Sequence, residues 1–434
     1  MGLLKKITIN TLTQILGRSG VILISLVVTA ILTRHLGENG YGIFGVISGA
    51  TMMFFSFADW GTILIAVREL ANKKGKEALI LGNSLIIRAT MSLVAIFLFI
   101  VFVYVNPAFD KFKIEILIAG VIIFFLSIKT SAQIIFHAEM KLYFSALVEL
   151  VGSLFFLLAL ILGSGNLSLR RAIIFLVFSS VVSAAFALGI VLKRVRPVFR
   201  LEKNFSRTLL KASLPMGAVL AVYSIYTRLG SFVLQFIHGE VAVGIYLLAF
   251  KVHDNLKLGA AYLMNAFFPV IASLPNSKNN EPNSKLGPVV QKAFDALLVM
   301  AIVILGGTFL LAPMIIGVLA GPSFSSSVRV LRILGLVTAL SYLNHLTGYS
   351  LVALKEQKKH LLFGMIGLTF NLLGSLLVIP RWSYVGLAWV AVVTEGLIFC
   401  LSFYFLNRKI RVRFSLSSVL ETFSFLLKKV RKIL

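Results

Sequence analysis

Charge is scarce in this sequence, and most of it has one sign. Asp, Glu, Lys and Arg make up 13% of 434 residues, with 42 basic against 16 acidic side chains and a formal net charge of +26. A soluble chain of this length needs a far more charged surface. Cysteine occurs once, at Cys400, which excludes an internal disulfide framework. The six histidines are scattered without metal-ligand spacing, so no metal site is expected. No nucleotide-binding glycine loop is present, which argues against ATP as a direct driver. No nucleophile sits with a base, so catalysis is not expected. The alternating ten-residue segments of a membrane barrel are missing too.

What fills the chain is apolar: 59% of residues are hydrophobic, in unbroken runs of about 20. Runs of that length must be helices, because helices satisfy their own backbone groups in hydrocarbon. The reading is an all-α polytopic membrane protein with about twelve transmembrane helices. They are placed at 10–33, 43–66, 81–104, 114–136, 143–164, 171–192, 209–237, 241–273, 291–312, 330–354, 360–380 and 384–407. Pro313 and Gly321-Pro322 interrupt the ninth and tenth. The first run reads as a span and not as a cleavable signal, because it is long and a multi-span chain follows.

Loop charge sets the expected orientation. One set of connections holds Arg68, Lys73, Lys74 and Lys76, the dense segment 193–211 and the tail from Arg408 to Lys432. The alternate set holds far fewer, among them Arg34, Arg170, Arg171 and Arg381. The positive-inside rule then puts both termini in the cytoplasm of a plasma (inner) membrane protein. No nucleic acid partner is needed to explain the positive charge; anionic lipid suffices.

The segment Gly37-Glu38-Asn39-Gly40-Tyr41-Gly42-Ile43-Phe44 lies between the first two runs. Gly239-Glu240-Val241-Ala242-Val243-Gly244-Ile245-Tyr246 repeats its Gly-Glu-x-x-x-Gly-Ile-aromatic pattern about half a chain later. The implied organisation is duplication. A six-helix bundle at 1–192 and a basic cytoplasmic linker at 193–208 precede a second bundle at 209–407. The two halves would be related by a pseudo-two-fold axis along the membrane normal. Residues 408–434 form a basic tail in which Leu416, Val419, Leu420, Phe423, Leu427 and Val430 recur at helical spacing, as in an amphipathic surface helix.

Ionisable groups inside spans cost roughly 2.5–3.5 kcal/mol each at a helix centre, so each needs a cavity or a partner. The candidate cavity cations are Arg18, Arg228, Lys129, Lys251 and Arg88; Lys257 is a further basic group. The candidate coupling or structural acids are Asp59, Glu149, Asp254 and Glu395. Several lie on polar stripes, such as Asn10, Gln14 and Arg18, or Ser145, Glu149 and Ser153. Plain structural roles compete. Lys251 and Asp254, three apart, would neutralise each other. Arg88 would snorkel to headgroups. Asp59 and Glu149 would partner nearby cations. Arg18 and Arg228 have no acid three or four residues away. A surplus of fixed cations suits an anionic substrate, with Arg gripping phosphate oxygens bidentately and Lys acting as a point charge.

With Thr33-Arg34-His35-Leu36 leading into the first motif, then Phe57-Ala58-Asp59-Trp60-Gly61 and Val67-Arg68-Glu69-Leu70, the sequence resembles the polysaccharide repeat-unit flippases. These belong to the multidrug/oligosaccharidyl-lipid/polysaccharide exporter superfamily. The resemblance implies inner-to-outer translocation of an undecaprenyl-pyrophosphate-linked oligosaccharide by alternating access, for O-antigen, capsule or exopolysaccharide assembly. It implies no cofactor, proton or sodium coupling by analogy, and a polymerase and glycosyltransferases as partners. Three alternatives stand beside it. A drug/cation antiporter of the same fold is expected to use acidic cavity residues. Lipid II flippases typically carry two further C-terminal spans. A non-transporting scaffold would leave the polar stripes without a use.

Overall fold

The computed structural model describes residues 3–72, 75–274 and 286–414. The tail helix read at 416–433 lies outside them. The elements are α1 (Leu3–Asp59), α2 (Thr62–Asn72), α3 (Glu77–Val105), α4 (Lys113–Ala138), α5 (Leu142–Leu162), α6 (Leu169–Leu192), α7 (Lys203–Leu256), α8 (Leu258–Ser273), α9 (Leu286–Ala320), α10 (Ser326–Ala353) and α11 (Gln357–Lys409). No strand occurs among the described residues, and eight helical stretches among them are long and apolar enough to cross a membrane. The all-α polytopic reading holds.

Three helices are too long to be single straight spans. α1, α7 and α11 run 57, 54 and 53 residues, which would measure about 80 Å at 1.5 Å per residue. The hydrocarbon core is about 30 Å. Each helix is broken at one residue: Gly37 (φ 65°, ψ −173°), Gly239 (φ 75°, ψ −168°) and Ser383 (φ 48°, ψ −138°). The first two are the leading glycines of the repeated motif, and they share a conformation essentially closed to residues with a Cβ. Gly321 (φ 78°, ψ −170°) adopts it too, where α9 ends. The multi-residue connections expected at 34–42 and 238–240 therefore contract to single glycines.

Two expected spans are instead interrupted. Trp60 (φ 40°) and Gly61 (φ 71°) separate α1 from α2, and α7 gives way to α8 at Lys257. Conversely, α9 runs through Pro313, where an interruption was expected. Proline lacks the N–H that would bond the carbonyl four residues back. Arg332 of α10 supplies a substitute: its Nε donates to Phe309 O at 3.1 Å, and its guanidinium lies 5.0 Å from the Phe309 ring centre.

The chain divides into two compact units, Met1–Phe232 and Val233–Leu434. The first has a core that includes Leu81, Ile134, Phe136, Val148 and Leu209. The second is built around Met264, Phe294, Leu297, Tyr342 and Leu406. Their outer faces stay apolar: Phe97, Leu310 and Met314 are all more than half exposed, as side chains facing lipid should be.

Arg332→Ala should lower stability by about 1–3 kcal/mol by leaving a lipid-facing carbonyl without a donor. Pro313→Ala should remove most of that cost by restoring the helical N–H. Thermal midpoints of the two single variants and the double variant in detergent should be clearly non-additive. In the same assay Gly37→Ala and Gly239→Ala should each cost about 1–3 kcal/mol, whereas Ser383→Gly should stabilise.

Candidate functional site

The first unit has an open cavity of about 170 Å³ between the second half of α1, α4, α5 and α6. Its walls follow helical periodicity: Ile122, Leu126 and Lys129 share one face of α4, Glu149, Gly152, Ser153 and Phe156 one of α5, and Leu176, Ser179, Ser180 and Ser183 one of α6. Small residues bring α5 and α6 together. Ser179 Oγ donates to Gly152 O at 2.8 Å, and a Cβ at Gly152 would fall 2.0 Å from Ser183 Oγ. Ser153, Ser180 and Ser183 each donate to a carbonyl of their own helix, at 2.8, 2.7 and 2.9 Å. Their oxygens keep lone pairs for other donors.

One ion pair lies in this wall. Lys129 Nζ donates to Glu149 Oε1 at 2.9 Å, and Gln133 Nε2 approaches the same oxygen at 3.4 Å. The Lys129 side chain is 10% exposed and that of Glu149 46%. Glu149 is the more accessible member and Lys129 the buried one. Arg228 lies in α7 beside Gly49, where an added Cβ would sit 3.4 Å from its Nη1. Gly49 follows Ser48, which lines the cavity. Arg18 is exposed.

Arg88 is placed otherwise than expected. It neither snorkels nor lines a cavity, but is 0% exposed in α3. Nε donates to Ser131 Oγ at 2.9 Å, Nη1 to Thr62 Oγ1 at 2.7 Å and to Asp59, and Nη2 to Thr130 Oγ1. Thr62 in turn donates to Asp59 O at 2.7 Å. This network ties the Trp60–Gly61 break to α3 and α4. Asp59, a candidate coupling acid, is the counterion of Arg88. The Trp60 indole lies over Gly217, where a Cβ would fall 2.5 Å from its Cδ1.

The remaining candidates lie in the second unit. Asp254 makes its ion pair with Lys257 at 2.6 Å, not with Lys251 as expected. Both lysines are three residues away, but an acid placed N-terminal to its base is the better helical order. Glu395 accepts from Asn344 Nδ2 at 2.6 Å. His253, 4% exposed, bonds Thr338 Oγ1 at 2.7 Å. Tyr342 Oη donates to Leu256 O at 2.8 Å, a carbonyl at the α7–α8 break, and a Cβ at Gly259 would fall 2.4 Å from that hydroxyl. Thr130, Ser131, His253, Tyr342 and Asn344 were not singled out by sequence reasoning. Their roles depend on partners in other helices, and sequence spacing carries no signal for that.

Solved structures share this fold. The chain matches a structure titled lipid II flippase MurJ, inward closed conformation, with TM-score 0.77 and 14% identity over 96% of this chain and 90% of that one. It matches an inward-facing multidrug resistance MATE family transporter of the MOP superfamily with TM-score 0.70 and 14% identity, over 89% and 95%. A MOP superfamily transporter from Pyrococcus furiosus, whose title describes a binding pocket of reverse polarity, aligns with TM-score 0.61 and 16% identity over 93% and 96%. A search of curated protein sequences gives no significant match. The chain thus shares the fold of these transporter structures. A family model described as polysaccharide biosynthesis protein matches residues 3–274, and a second of the same description matches 277–433. The chain belongs to the polysaccharide biosynthesis protein family, and the resemblance drawn from its first 70 residues is borne out.

The two ion pairs of the first unit should behave differently. Arg88→Met strands a largely buried carboxylate and its hydroxyl partners and should cost about 3 kcal/mol. Lys129→Met leaves a half-exposed Glu149 and should cost at most about 1 kcal/mol. Thermal unfolding of purified protein separates the two.

Proposed function

We propose that this protein is a flippase for an undecaprenyl-pyrophosphate-linked oligosaccharide repeat unit. It would carry its substrate from the inner to the outer leaflet by alternating access, for assembly of a surface polysaccharide. Family membership over both parts of the chain is the observation that carries this reading, and the transporter fold supports it. In this reading twelve crossings form the six-helix bundles 1–192 and 209–407, with 193–208 and both termini cytoplasmic in the plasma membrane. The pyrophosphate meets Lys129, Arg228 and Arg18, while the polyprenyl chain stays in lipid. Lys251 is a secondary cation, and Arg88 serves as a structural centre.

The chemistry of the cavity wall fits a phosphorylated sugar. Hydroxyl and amide groups suit the glycan, and an ammonium suits phosphate oxygen. Glu149 holds Lys129 when substrate is absent and is the first candidate for proton or sodium coupling, ahead of Asp254 and Glu395. A lipid II-type substrate is the second reading, favoured by the likeness to the MurJ structure. Polymerase and glycosyltransferase partners follow from the assembly role.

The test uses liposomes holding a fluorescent polyprenyl-pyrophosphate oligosaccharide, with an impermeant quencher reporting the leaflet. Wild type should translocate this lipid in preference to lipid II or an organic cation. Arg18→Ala or Arg228→Ala, inserted equally well, should lose most of the rate, at least about tenfold for loss of a charge-assisted contact. Export of organic cations with no lipid movement would overturn the reading.

A further inference from the structure

The segment between α6 and α7 presents a surface to which the proposed function assigns no role. Residues 193–202 contain no helix, yet they are fastened to the start of α3. Val198 N donates to Ala78 O at 2.9 Å. Asn83 Nδ2 donates to Arg200 O at 2.8 Å, and Asn83 Oδ1 accepts from Glu202 N at 2.8 Å. Asn83 is 0% exposed, and a Cβ at Gly82 would fall 2.1 Å from Val198 O, so backbone packs directly on backbone. The strap is therefore held within about 9 Å of the first residue of a membrane-spanning helix.

Its side chains then face outward in an unusual mixture. Phe199 is 67% exposed, Leu201 58% and Val198 47%. Arg196, Arg200 and Lys203 are exposed among them, and Glu202 is the single acid from 193 to 211. Large apolar groups interleaved with cations, fixed at the depth of a helix start, have the chemistry of the headgroup–acyl boundary. Cations at that depth attract anionic lipid.

The second unit repeats the device. Gln291, near the start of α9, donates through Nε2 to Arg413 O at 2.8 Å and accepts at Oε1 from Arg413 N at 2.9 Å. Val412 N donates to Asn407 Oδ1 at 2.8 Å. Ile410 and Val412 are buried beneath, while Phe414 is 68% exposed and Arg411 and Arg413 face out. Asn83 and Gln291 fall in the third and ninth apolar runs, equivalent places in a duplicated chain.

We propose that residues 196–203 are a membrane-surface anchor whose ligand is the anionic phospholipid headgroup of the adjoining leaflet, with Asn83 the positioning residue that sets its depth. The 410–414 strap is its counterpart. The test starts from the full chain with Cys400→Ser and Leu201→Cys, labelled with an environment-sensitive fluorophore. This is reconstituted in vesicles of phosphatidylcholine with or without phosphatidylglycerol. Nitroxide-headgroup lipid should quench the label several-fold more with phosphatidylglycerol present, and aqueous iodide should quench it poorly.

Replacing Arg196, Arg200 and Lys203 by Gln should abolish the dependence on phosphatidylglycerol. Asn83→Ala should lose most of the lipid quenching, while a label at Phe309→Cys in the same variant stays lipid-quenched and so reports correct insertion. Free quenching by iodide with none by nitroxide lipid would overturn the anchor. A label indifferent to phosphatidylglycerol but shielded on adding polyprenyl pyrophosphate would also overturn it, assigning the surface to substrate capture.

Discussion

A backbone carbonyl or N–H inside hydrocarbon has no water to turn to, and the helix breaks in this protein are organised by that constraint. Several breaks come with a donor for the carbonyl they free. Arg332 covers Phe309 O below Pro313, Tyr342 covers Leu256 O where α7 ends, and Thr62 covers Asp59 O where α1 ends. His238 covers Ile379 O beside Pro380, four residues before the turn at Ser383. Gly259 lets one such partner in, since a Cβ there would fall 2.4 Å from the Tyr342 hydroxyl. The result is a set of rigid helices with breaks at fixed places.

The same scarcity of water sorts the charges. Arg88 has its N–H donors spent on one carboxylate, three hydroxyls and a carbonyl, all within the first unit. A guanidinium so enclosed is a fastening and has little left for a ligand. Lys129 has a half-exposed carboxylate and a cavity beside it. Under the proposed function that arrangement would leave a charge able to change partners when an anion arrives. Family membership ties the chain to polysaccharide biosynthesis, and under the proposed function the ammonium among hydroxyls is where an anionic cargo would bind.

Much of this was legible before any coordinates. Apolar runs of spanning length gave the helices, and the repeated Gly-Glu motif pointed to duplication, although single-residue breaks at Gly37 and Gly239 were not expected. Their shared backbone conformation is the physical content of the repeat. What escaped was whatever depends on another helix. Asp59 and Glu149 were read as partners of cations, but nothing in the spacing names Lys129 for Glu149, or Thr130 and Ser131 for Arg88. Pro313 read as an end because the compensating Arg332 lies beyond the next turn. The pairing of Asp254 was misjudged between two lysines at equal spacing, and helix polarity decides for Lys257.

The central claim is that the cavity of the first unit receives a lipid-linked anion. The most direct measurement places a photoreactive benzophenone amino acid at Met52, on the cavity wall, and for comparison at Leu310, on the lipid-facing surface. Irradiation with radiolabelled polyprenyl-pyrophosphate oligosaccharide should label the Met52 position, with unlabelled lipid-linked pyrophosphate competing and the Leu310 position giving little. Equal labelling at both positions, or labelling at Met52 competed by organic cations and not by the lipid-linked pyrophosphate, would contradict the account.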